Sequence, residues 1–530
     1  MVRALSVTVL LLLVIAPLTL AVPALWPTEL LNQPFERWPD LPWNSVVQAF
    51  LLTLFTGLLV AGLSLTAAQK LNLNTRGQSR GVAGLSVVLS TPHVAFAVGL
   101  MFLFSPSGYL VRLLEAVTGW LPSPPTGWPL PEKSLVTLTL VLVLKEVPFL
   151  LLMAATQLRQ LPYQRWLRQS QSLGWSKSRG WWLLVVPALL PRIKLPLAAI
   201  VIYTLSVVDI PLLLGPNTPG VLAQEVFKQH YQWGREGAAQ LGVGLLLLLA
   251  LVFLLINHGA VRGYVKLAAY WRSRALKDSW AGVSLLSAIL PGVILLSALV
   301  LLALLINSLA GAWFYPQLAP ADWSPQRWQT EWPYLAPLLW NSLWLALASA
   351  LLGVLAAVAV LERQRRRKLT ELQWLPLLLL LIPQLVLVLG WQKIFGQGSQ
   401  GPVLLWSHTV FCFPYAYLVL HGAWVNFNEH WLYQAQSLGY SYRQAWWRIL
   451  LPMLSGPLWI AFAVAFSVSI AQYLPTIWLA GGTLPTLTTE AVSIASGGDW
   501  RLASVYALMQ ALLPLIVFTL LIRQSLHVKN

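Results

Sequence analysis

Twelve apolar segments, each long enough to cross a lipid bilayer as a helix, limit how this chain can fold. About 20 apolar residues cross a hydrocarbon core of about 30 Å, and a helix satisfies its own backbone hydrogen bonds there. Charged residues make up only 10% of the 530 residues, against about 25% in ordinary soluble domains. The sequence therefore predicts an all-α, polytopic membrane protein. The segments cover approximately residues 4–25, 45–66, 82–104, 134–156, 183–214, 241–256, 281–310, 335–360, 374–390, 403–425, 449–478 and 503–522.

A block of sequence in the first half of the chain returns in the second half at an offset of 265 residues. In the first copy it consists of Gln171, Ser172, Leu173, Gly174, Trp181, Trp182 and Pro187, and in the second of Gln436, Ser437, Leu438, Gly439, Trp446, Trp447 and Pro452. Each half holds six predicted spans that run in the same direction. We therefore predict two parallel six-helix repeats, related by an axis along the membrane normal, with any pathway between them. The predicted domains are residues 1–260, a cytoplasmic linker at 261–280, and residues 281–530.

Shorter matches in the same order extend the repeat beyond this block. Trp43-Asn44-Ser45 opens the second segment as Trp340-Asn341-Ser342 opens the eighth, Pro92 and Gly99 bracket six residues of the third as Pro383 and Gly390 do in the ninth, and Glu225 lies 265 residues before Glu490. Each matched pair alone is weak evidence for a repeat. Their common order indicates a duplication of the whole half.

The basic residues that give the net charge of +17 are unevenly distributed between the loops on the two sides of the membrane. With Arg3 placed in the cytoplasm, the loops on that side hold most of the basic residues, whereas the opposite loops carry eight basic against eleven acidic residues. This is the positive-inside bias, with both termini cytoplasmic, so nucleic-acid binding is not expected. Arg3 and the small residues at 21–24 also resemble a signal peptide. An uncleaved first span is favoured, because cleavage would leave eleven spans and unmatched halves.

Each repeated block is a polar and basic loop between two apolar segments. In the two copies it contains a small residue (Ser170, Ala435), an apolar knob (Leu173, Leu438) and a glycine that permits a sharp helix exit (Gly174, Gly439). A proline follows each glycine after thirteen residues. This pattern predicts a short helix that lies across the cytoplasmic face and fits a groove on another protein.

The spacing of these residues resembles the coupling loop of binding-protein-dependent ABC transporter permeases, the E-A-A-x-x-x-G motif followed by an aromatic residue, an aliphatic residue and a proline. The similarity covers residues 168–187 and 433–452, where the positions are held by Gly174 and Gly439, Trp181 and Trp446, Leu184 and Ile449, and Pro187 and Pro452. Two copies in one chain resemble the fused permeases of the ferric iron and thiamine importers. The resemblance implies two copies of a cytoplasmic ATPase as partners, an external solute-binding protein, and a place in the bacterial inner membrane.

The resemblance also implies which residues dock the ATPase. They are Arg168, Gln169, Ser170, Gln171, Ser172, Leu173, Gly174, Trp181 and Pro187 in the first loop, and Tyr433, Gln434, Ala435, Gln436, Ser437, Leu438, Gly439, Trp446 and Pro452 in the second. The chain departs from the family motif at its first two positions. Arg168 and Tyr433 stand where the family has Glu, and Gln169 and Gln434 where it has Ala. The resemblance therefore does not extend to the contact that the family's Glu makes with the ATPase, while the positions that give the loop its shape remain.

Ionisable residues within apolar segments cost about 2.5–3.5 kcal/mol each to insert and are therefore candidates for a function. Lys145 and Glu146 lie in the fourth segment and Asp209 in the fifth. Adjacent residues on a helix point about 100° apart, so Lys145 and Glu146 are free to find partners on neighbouring spans. Asp209 and Gln472 each precede a proline, which loosens a helix. These four residues are candidate pathway or gate residues, with interhelical structural contacts as the alternative.

The sequence contains no motif for catalysis or for a resident cofactor. It has no G-x-x-x-x-G-K-[ST] motif, so ATP hydrolysis is expected on a separate subunit. The histidines show no metal-ligand spacing, and the single cysteine, Cys412, excludes an internal disulfide. We predict a transport subunit rather than an enzyme, with no metal. The alternative is a secondary transporter or channel driven by an ion gradient, in which the intramembrane charges relay ions. The substrate is left open.

Overall fold

The computed structural model describes residues 2–25, 42–70, 88–130, 133–274, 289–367, 373–398 and 401–527. These residues form helices joined by short loops, and the β-bridge found among them links Ala310 to Trp323. The prediction of an all-α polytopic protein is confirmed. Below, the first half means the described residues up to 274, and the second half those from 289 onward.

Ten helices of the described residues are long and apolar enough to cross a membrane. They are Leu5–Ala24, Trp43–Gln69, His93–Thr118, Leu135–Leu158, Lys177–Ser206 and Glu236–Arg272 in the first half, and Pro291–Leu309, Gln326–Arg367, Gly401–Val425 and Trp500–Leu521 in the second. Two bent pairs, Leu375–Leu381 with Gln384–Phe395 and Tyr442–Met453 with Ser455–Ile470, give twelve spans if each pair is one span. We number these twelve in chain order.

The shorter helices lie between or next to the spans. They are Tyr163–Ser172, Asp209–Leu214 and Leu222–Phe227 in the first half, and His430–Ser437, Leu474–Ala480 and Leu487–Ser496 in the second. Within the third span, the helix His93–Phe104 is followed by a second helix, Tyr109–Thr118.

The sixth span is much longer than the predicted segment at 241–256. One helix runs from Glu236 to Arg272 because no proline interrupts these 37 residues. At 1.5 Å per residue it is about 55 Å long, so it extends beyond a hydrocarbon core of about 30 Å. The first part of the predicted linker, residues 261–272, therefore continues the span as helix. Residues 275–280 of the linker, 281–288 of the seventh segment and 82–87 of the third lie outside the described residues.

Prolines divide two of the predicted segments, the third at 82–104 and the ninth at 374–390, each of which the sequence predicted as one helix. The helices His93–Phe104 and Gln384–Phe395 each begin directly after a proline, Pro92 or Pro383. The two parts of the ninth span meet at an angle of 96°. A proline has no backbone N–H and disfavours helical geometry in the residue before it, so each break falls where the proline places it.

The first span of each half packs against the other half. Gly390 of the ninth span lies so close to the first span that an added Cβ would be 2.5 Å from the Cα of Ala21. Gly99 of the third span faces the seventh span, where an added Cβ would be 2.6 Å from Cγ1 of Val300. Trp391 strengthens the first of these contacts by donating a hydrogen bond from Nε1 to the carbonyl of Pro17 at 2.9 Å. The two halves are therefore interlocked.

Candidate functional site

The first repeated loop begins with the helix Tyr163–Ser172, which ends in a Schellman motif. The backbone N–H of Trp175 donates to the carbonyl of Ser170 at 3.0 Å, and that of Gly174 donates to Gln171 at 3.0 Å. This geometry requires the left-handed conformation at Gly174, whose φ is 82°. The glycine thus turns the chain sharply at the end of the helix.

The second repeated loop has the same geometry. Its helix His430–Ser437 ends where the N–H of Tyr440 donates to the carbonyl of Ala435 at 3.1 Å and that of Gly439 donates to Gln436 at 3.0 Å. Gly439 has a φ of 89°. Each loop therefore consists of a helix, a glycine in the left-handed conformation and a turn. The corresponding positions of the two loops lie 265 residues apart.

A second short helix follows each glycine and packs against the first. Ser176 and Ser441 are the N-caps, and each side chain accepts a hydrogen bond from the third residue of its helix. The helices approach closely because small residues face each other. In the first loop, an added Cβ on Gly180 would be 2.4 Å from Oγ of Ser170. In the second, Ala435 and Ala445 are both buried.

Each short helix leads into a membrane span. A five-residue π-helix, Trp181–Val185 or Trp446–Leu450, follows it directly, and Pro187 or Pro452 lies in the first turn after that. The fifth span then continues as one helix, whereas the eleventh bends by 68° between Met453 and Ser455. The surroundings differ, because Trp181 and Pro187 are buried whereas Pro452 is exposed.

The apolar knobs of the two loops point away from the protein. Leu173 is 78% exposed and Leu438 is 79% exposed. Leu173 also lies at the edge of a groove of about 500 Å³, whose apolar walls include Trp166, Trp175 and Val265. Most of the remaining predicted docking residues are also exposed: Arg168, Gln169, Gln171, Ser172, Tyr433, Gln434, Gln436 and Ser437 are exposed, whereas Ser170 and Ala435 are buried and Trp446 is half-buried.

A buried carboxylate that the sequence reading missed anchors the second loop. Glu362, at the end of the eighth span, accepts a hydrogen bond from Nε of Arg366 at 2.7 Å and a short one from the hydroxyl of Tyr442 in the second loop. The ring of Tyr442 also lies 4.0 Å below the guanidinium of Arg366. In the sequence Glu362 borders a run of basic residues, Arg363 and Arg365 to Arg367, among which a single acid gives no pattern of its own.

Glu429 is a second acid that the sequence reading missed. It lies one helical turn before Tyr433, the residue at the family's Glu position, and its Oε2 accepts a hydrogen bond from the Tyr433 hydroxyl at 3.1 Å. This hydrogen bond raises the pKa of Tyr433 above its ordinary value. The second loop thus carries a carboxylate four residues from the motif position. The sequence contains this acid, but one helical turn before the position at which the family has its Glu.

Where the halves meet, a cavity of about 150 Å³ lies next to the helix breaks that follow the fifth and eleventh spans. Asp209 begins the helix after the first of these breaks, and Gln472 lies within the second, between Ile470 and Leu474. Both line the cavity, together with His93 and Gln384, the residues that directly follow the two prolines. The structure thus brings two predicted pathway residues together with two that the sequence reading missed. The matched prolines Pro92 and Pro383, which His93 and Gln384 directly follow, are the sequence pattern that could have identified these two residues.

The other two predicted pathway residues do not line this cavity. Lys145 donates from Nζ to the carbonyls of Val88 at 2.7 Å and Thr91 at 2.5 Å, and so holds the start of the third span. Glu146 lies 3.0 Å from Nε2 of His93. Both therefore make contacts with another segment of the first half, and a role for either residue in a pathway stays a prediction.

Comparisons with known proteins are consistent with this geometry. Residues 349–528 match the family model described as "Binding-protein-dependent transport system inner membrane component". The chain is 33% identical over 451 residues, 83% of its length, to the inner membrane ABC transporter permease protein YnjC of Escherichia coli (strain K12), of which it covers 80%. Over 110 residues, 21% of its length, it is 30% identical to a homolog of the spermidine/putrescine transport system permease protein PotC from Mycoplasma genitalium, of which it covers 38%.

Proposed function

The chain belongs to the family of binding-protein-dependent transport system inner membrane components and is a multi-pass membrane permease subunit of an ABC transporter; on that premise, we propose that it serves an importer and couples to two copies of a cytoplasmic ATPase through its two repeated loops. The observation that carries this proposal is the matched pair of exposed leucines, Leu173 and Leu438, each held beside a left-handed glycine.

The exposed leucines favour a protein partner. Complete burial of a leucine side chain is worth roughly 1.5–3 kcal/mol, so each knob stabilises a complex in which it enters an apolar pocket. Leu173 and Leu438 are outside the spans, where lipid tails do not cover them. Because the two loops repeat one geometry, they fit two copies of one partner.

The continuity of the helices supports coupling. The helix Val186–Ser206 leads from the first loop to the break beside the cavity, a distance of about 30 Å at 1.5 Å per residue. In the second half, Ser455–Ile470 follows the 68° bend after Met453 and leads to the residues around Gln472. A rotation of either loop by the ATPase would therefore change the cavity at the other end of the span.

The remaining parts of the proposal follow from the family. The ATPase subunits bind and hydrolyse ATP, since the chain has no phosphate-binding loop of its own. A solute-binding protein delivers the substrate to the opposite face. Both termini and both repeated loops lie in the cytoplasm, as the distribution of basic residues favours.

The proposal is tested by labelling cysteines placed at the knobs, Leu173→Cys and Leu438→Cys. The native Cys412 is buried, so it gives little background with a bulky, membrane-impermeant maleimide. We expect both new cysteines to react in inside-out vesicles but not in intact cells, and the ATPase to protect them. Trp120→Cys, at an 81% exposed position in an opposite loop, is the control that reacts from outside without protection. Labelling of either knob from outside, or an ATPase that protects neither, would refute the proposal.

A further inference from the structure

The cavity between the halves has the chemistry of a cation site. We propose that it binds a small organic ammonium cation and that Asp209 recognises the positive charge. This inference rests on the proposed function, because it takes the cavity to be part of the transport pathway.

The charge of the cavity comes from Asp209. Asp209 holds the one carboxylate among the described lining residues, and the residue is only 9% exposed. The described residues that line the cavity include no lysine or arginine. The nearby Lys145 donates to two backbone carbonyls, and Glu146 pairs with His93. Asp209 thus leaves a negative charge that a bound cation would neutralise.

Aromatic rings form much of the remaining wall. Tyr203 comes from the first half, whereas Phe411, Tyr415 and Tyr473 come from the second. The faces of aromatic rings attract ammonium groups, and several rings around one space are the usual means of recognising quaternary ammonium compounds. A carboxylate beside several rings therefore selects an organic cation over an anion or a neutral solute.

The lining does not suit a metal ion. Calcium takes six to eight oxygen ligands, and magnesium is usually bound through one or two carboxylates plus waters or phosphates in octahedral geometry. Among the described residues, no group of three or more His, Cys, Asp or Glu side chains is placed to hold a metal. The tyrosine and phenylalanine rings would also exclude the waters that magnesium keeps. The ammonium group is the better fit.

The two halves contribute unequally to this site. His93 and Gln384 correspond in sequence, each following its proline, and Asp209 and Gln472 occupy similar places before a proline. In the second half, Nε2 of Gln384 donates to Oε1 of Gln472 at 2.6 Å, so these neutral amides satisfy each other. Of these four residues, the two ionisable ones, His93 and Asp209, both come from the first half. Replacing Asp209 with Asn should therefore remove the negative charge of the lining without changing its shape.

The volume of the cavity limits the size of the ligand. About 150 Å³ is the share of roughly five water molecules at about 30 Å³ each. Choline and putrescine, with few heavy atoms and one or two ammonium groups, are suitable probes. Larger cations would require the cavity to widen.

The test uses the full chain, purified in lipid nanodiscs, and follows its thermal unfolding with increasing choline or putrescine. The neutral isostere 3,3-dimethylbutanol and sulfate are the matched ligand controls. We expect at least one of the two cations to raise the unfolding midpoint in a saturable manner, while dimethylbutanol and sulfate do not. Asp209→Asn should weaken cation binding at least tenfold, and Glu490→Gln, an acid-to-amide change outside the cavity, should leave it unchanged.

A second pair of variants keeps the test decisive if Asp209→Asn does not fold. Tyr473→Phe keeps the ring and should bind the cation nearly as well as the natural protein, whereas Tyr473→Leu should bind it several-fold more weakly. The inference is overturned if neither cation binds, if dimethylbutanol binds equally well, or if Asp209→Asn responds like the natural protein. ATPase capture is measured on the same preparations. Intact capture without cation binding refutes this inference alone, and lost capture with intact binding refutes only the docking proposal.

Discussion

Glu362 and Arg365 form a two-pronged ion pair at the end of the eighth span, with Nη2 to Oε1 at 2.9 Å and Nε to Oε2 at 3.1 Å. Arg365 also reaches Glu429 with Nη1 at 3.0 Å, which ties the eighth span to the start of the second loop. The first loop is held differently, because Arg179 donates to the backbone carbonyl of Arg274 at 3.0 Å. The two loops thus share a shape but differ in how they are anchored.

Glu362→Gln should loosen the second loop and leave the first unchanged. Removing the charge leaves the largely buried Arg365 with the more exposed Glu429 as its remaining acidic partner, and breaking a buried pair of this kind costs roughly 3 kcal/mol. Hydrogen–deuterium exchange should therefore increase in residues 433–452 but not in residues 168–187 of the same molecule. Equal changes in both loops, or none in the second, would contradict this account of the anchoring.

Gly390→Ala should destabilise the contact between the halves. The new Cβ would be 2.5 Å from the Cα of Ala21 and 2.7 Å from the carbonyl oxygen of Leu20, and backbone atoms move only at a cost. Overpacking of this kind costs about 1–3 kcal/mol, which a lower thermal unfolding midpoint would report. Gly62→Ala is the matched control, since nothing lies within 4 Å of its added Cβ. An equal midpoint for the two variants would argue against the close approach.

His230 should make stability depend on pH. Its Nε2 lies 2.7 Å from Oε1 of Gln392 in the other half, and burial lowers the pKa of His230 below its ordinary value of 6.5. The folded state therefore binds fewer protons than the unfolded state. This contribution to stability is fully present above about pH 6.5 and is lost as the pH falls from there toward the lower pKa of the folded state.

The corresponding measurement compares thermal unfolding of the natural protein and of His230→Gln at about pH 7.5 and about pH 5.5. The natural protein should lose more stability on acidification than the variant, because the variant has no group to protonate at this contact. Equal losses in both proteins would show that His230 does not contribute to the pH dependence.

Much of the fold was accessible from the sequence because hydropathy and proline act locally. Long apolar runs predicted the spans, and the glycine-to-proline interval marked both loops before any geometry was known. The matched pair Pro92 and Pro383 also marked the two breaks, although the sequence reading took each segment as one helix. These features depend on the conformational limits of single residues or on local composition.

The remaining features depend on contacts between distant parts of the chain. Hydropathy predicts that residues 4–25 cross the membrane but not that they pack against Gly390, since lipid and protein present similar apolar surfaces. In the same way, Lys145 is unusual within an apolar segment, but the sequence does not show that its partners are two backbone carbonyls just before the third span. Glu362 was missed because it lies among basic residues, and the packing of Tyr442 and Trp424 around it decides its burial.

Docking of the ATPase through the two loops is tested most directly by counting the ATPase copies that remain bound to the purified chain, by native mass spectrometry. Gly174 and Gly439 have φ values of 82° and 89°, which a valine adopts only with strain, although no atom lies within 4 Å of an added Cβ. The effect should therefore stay within the loop. Gly127→Val, at a φ of 75° and equally open, is the matched control in a loop on the opposite side.

We predict two ATPase copies on the natural chain and on Gly127→Val, one copy on Gly174→Val or Gly439→Val, and none on the double variant. Two copies on the double variant would contradict docking through these loops.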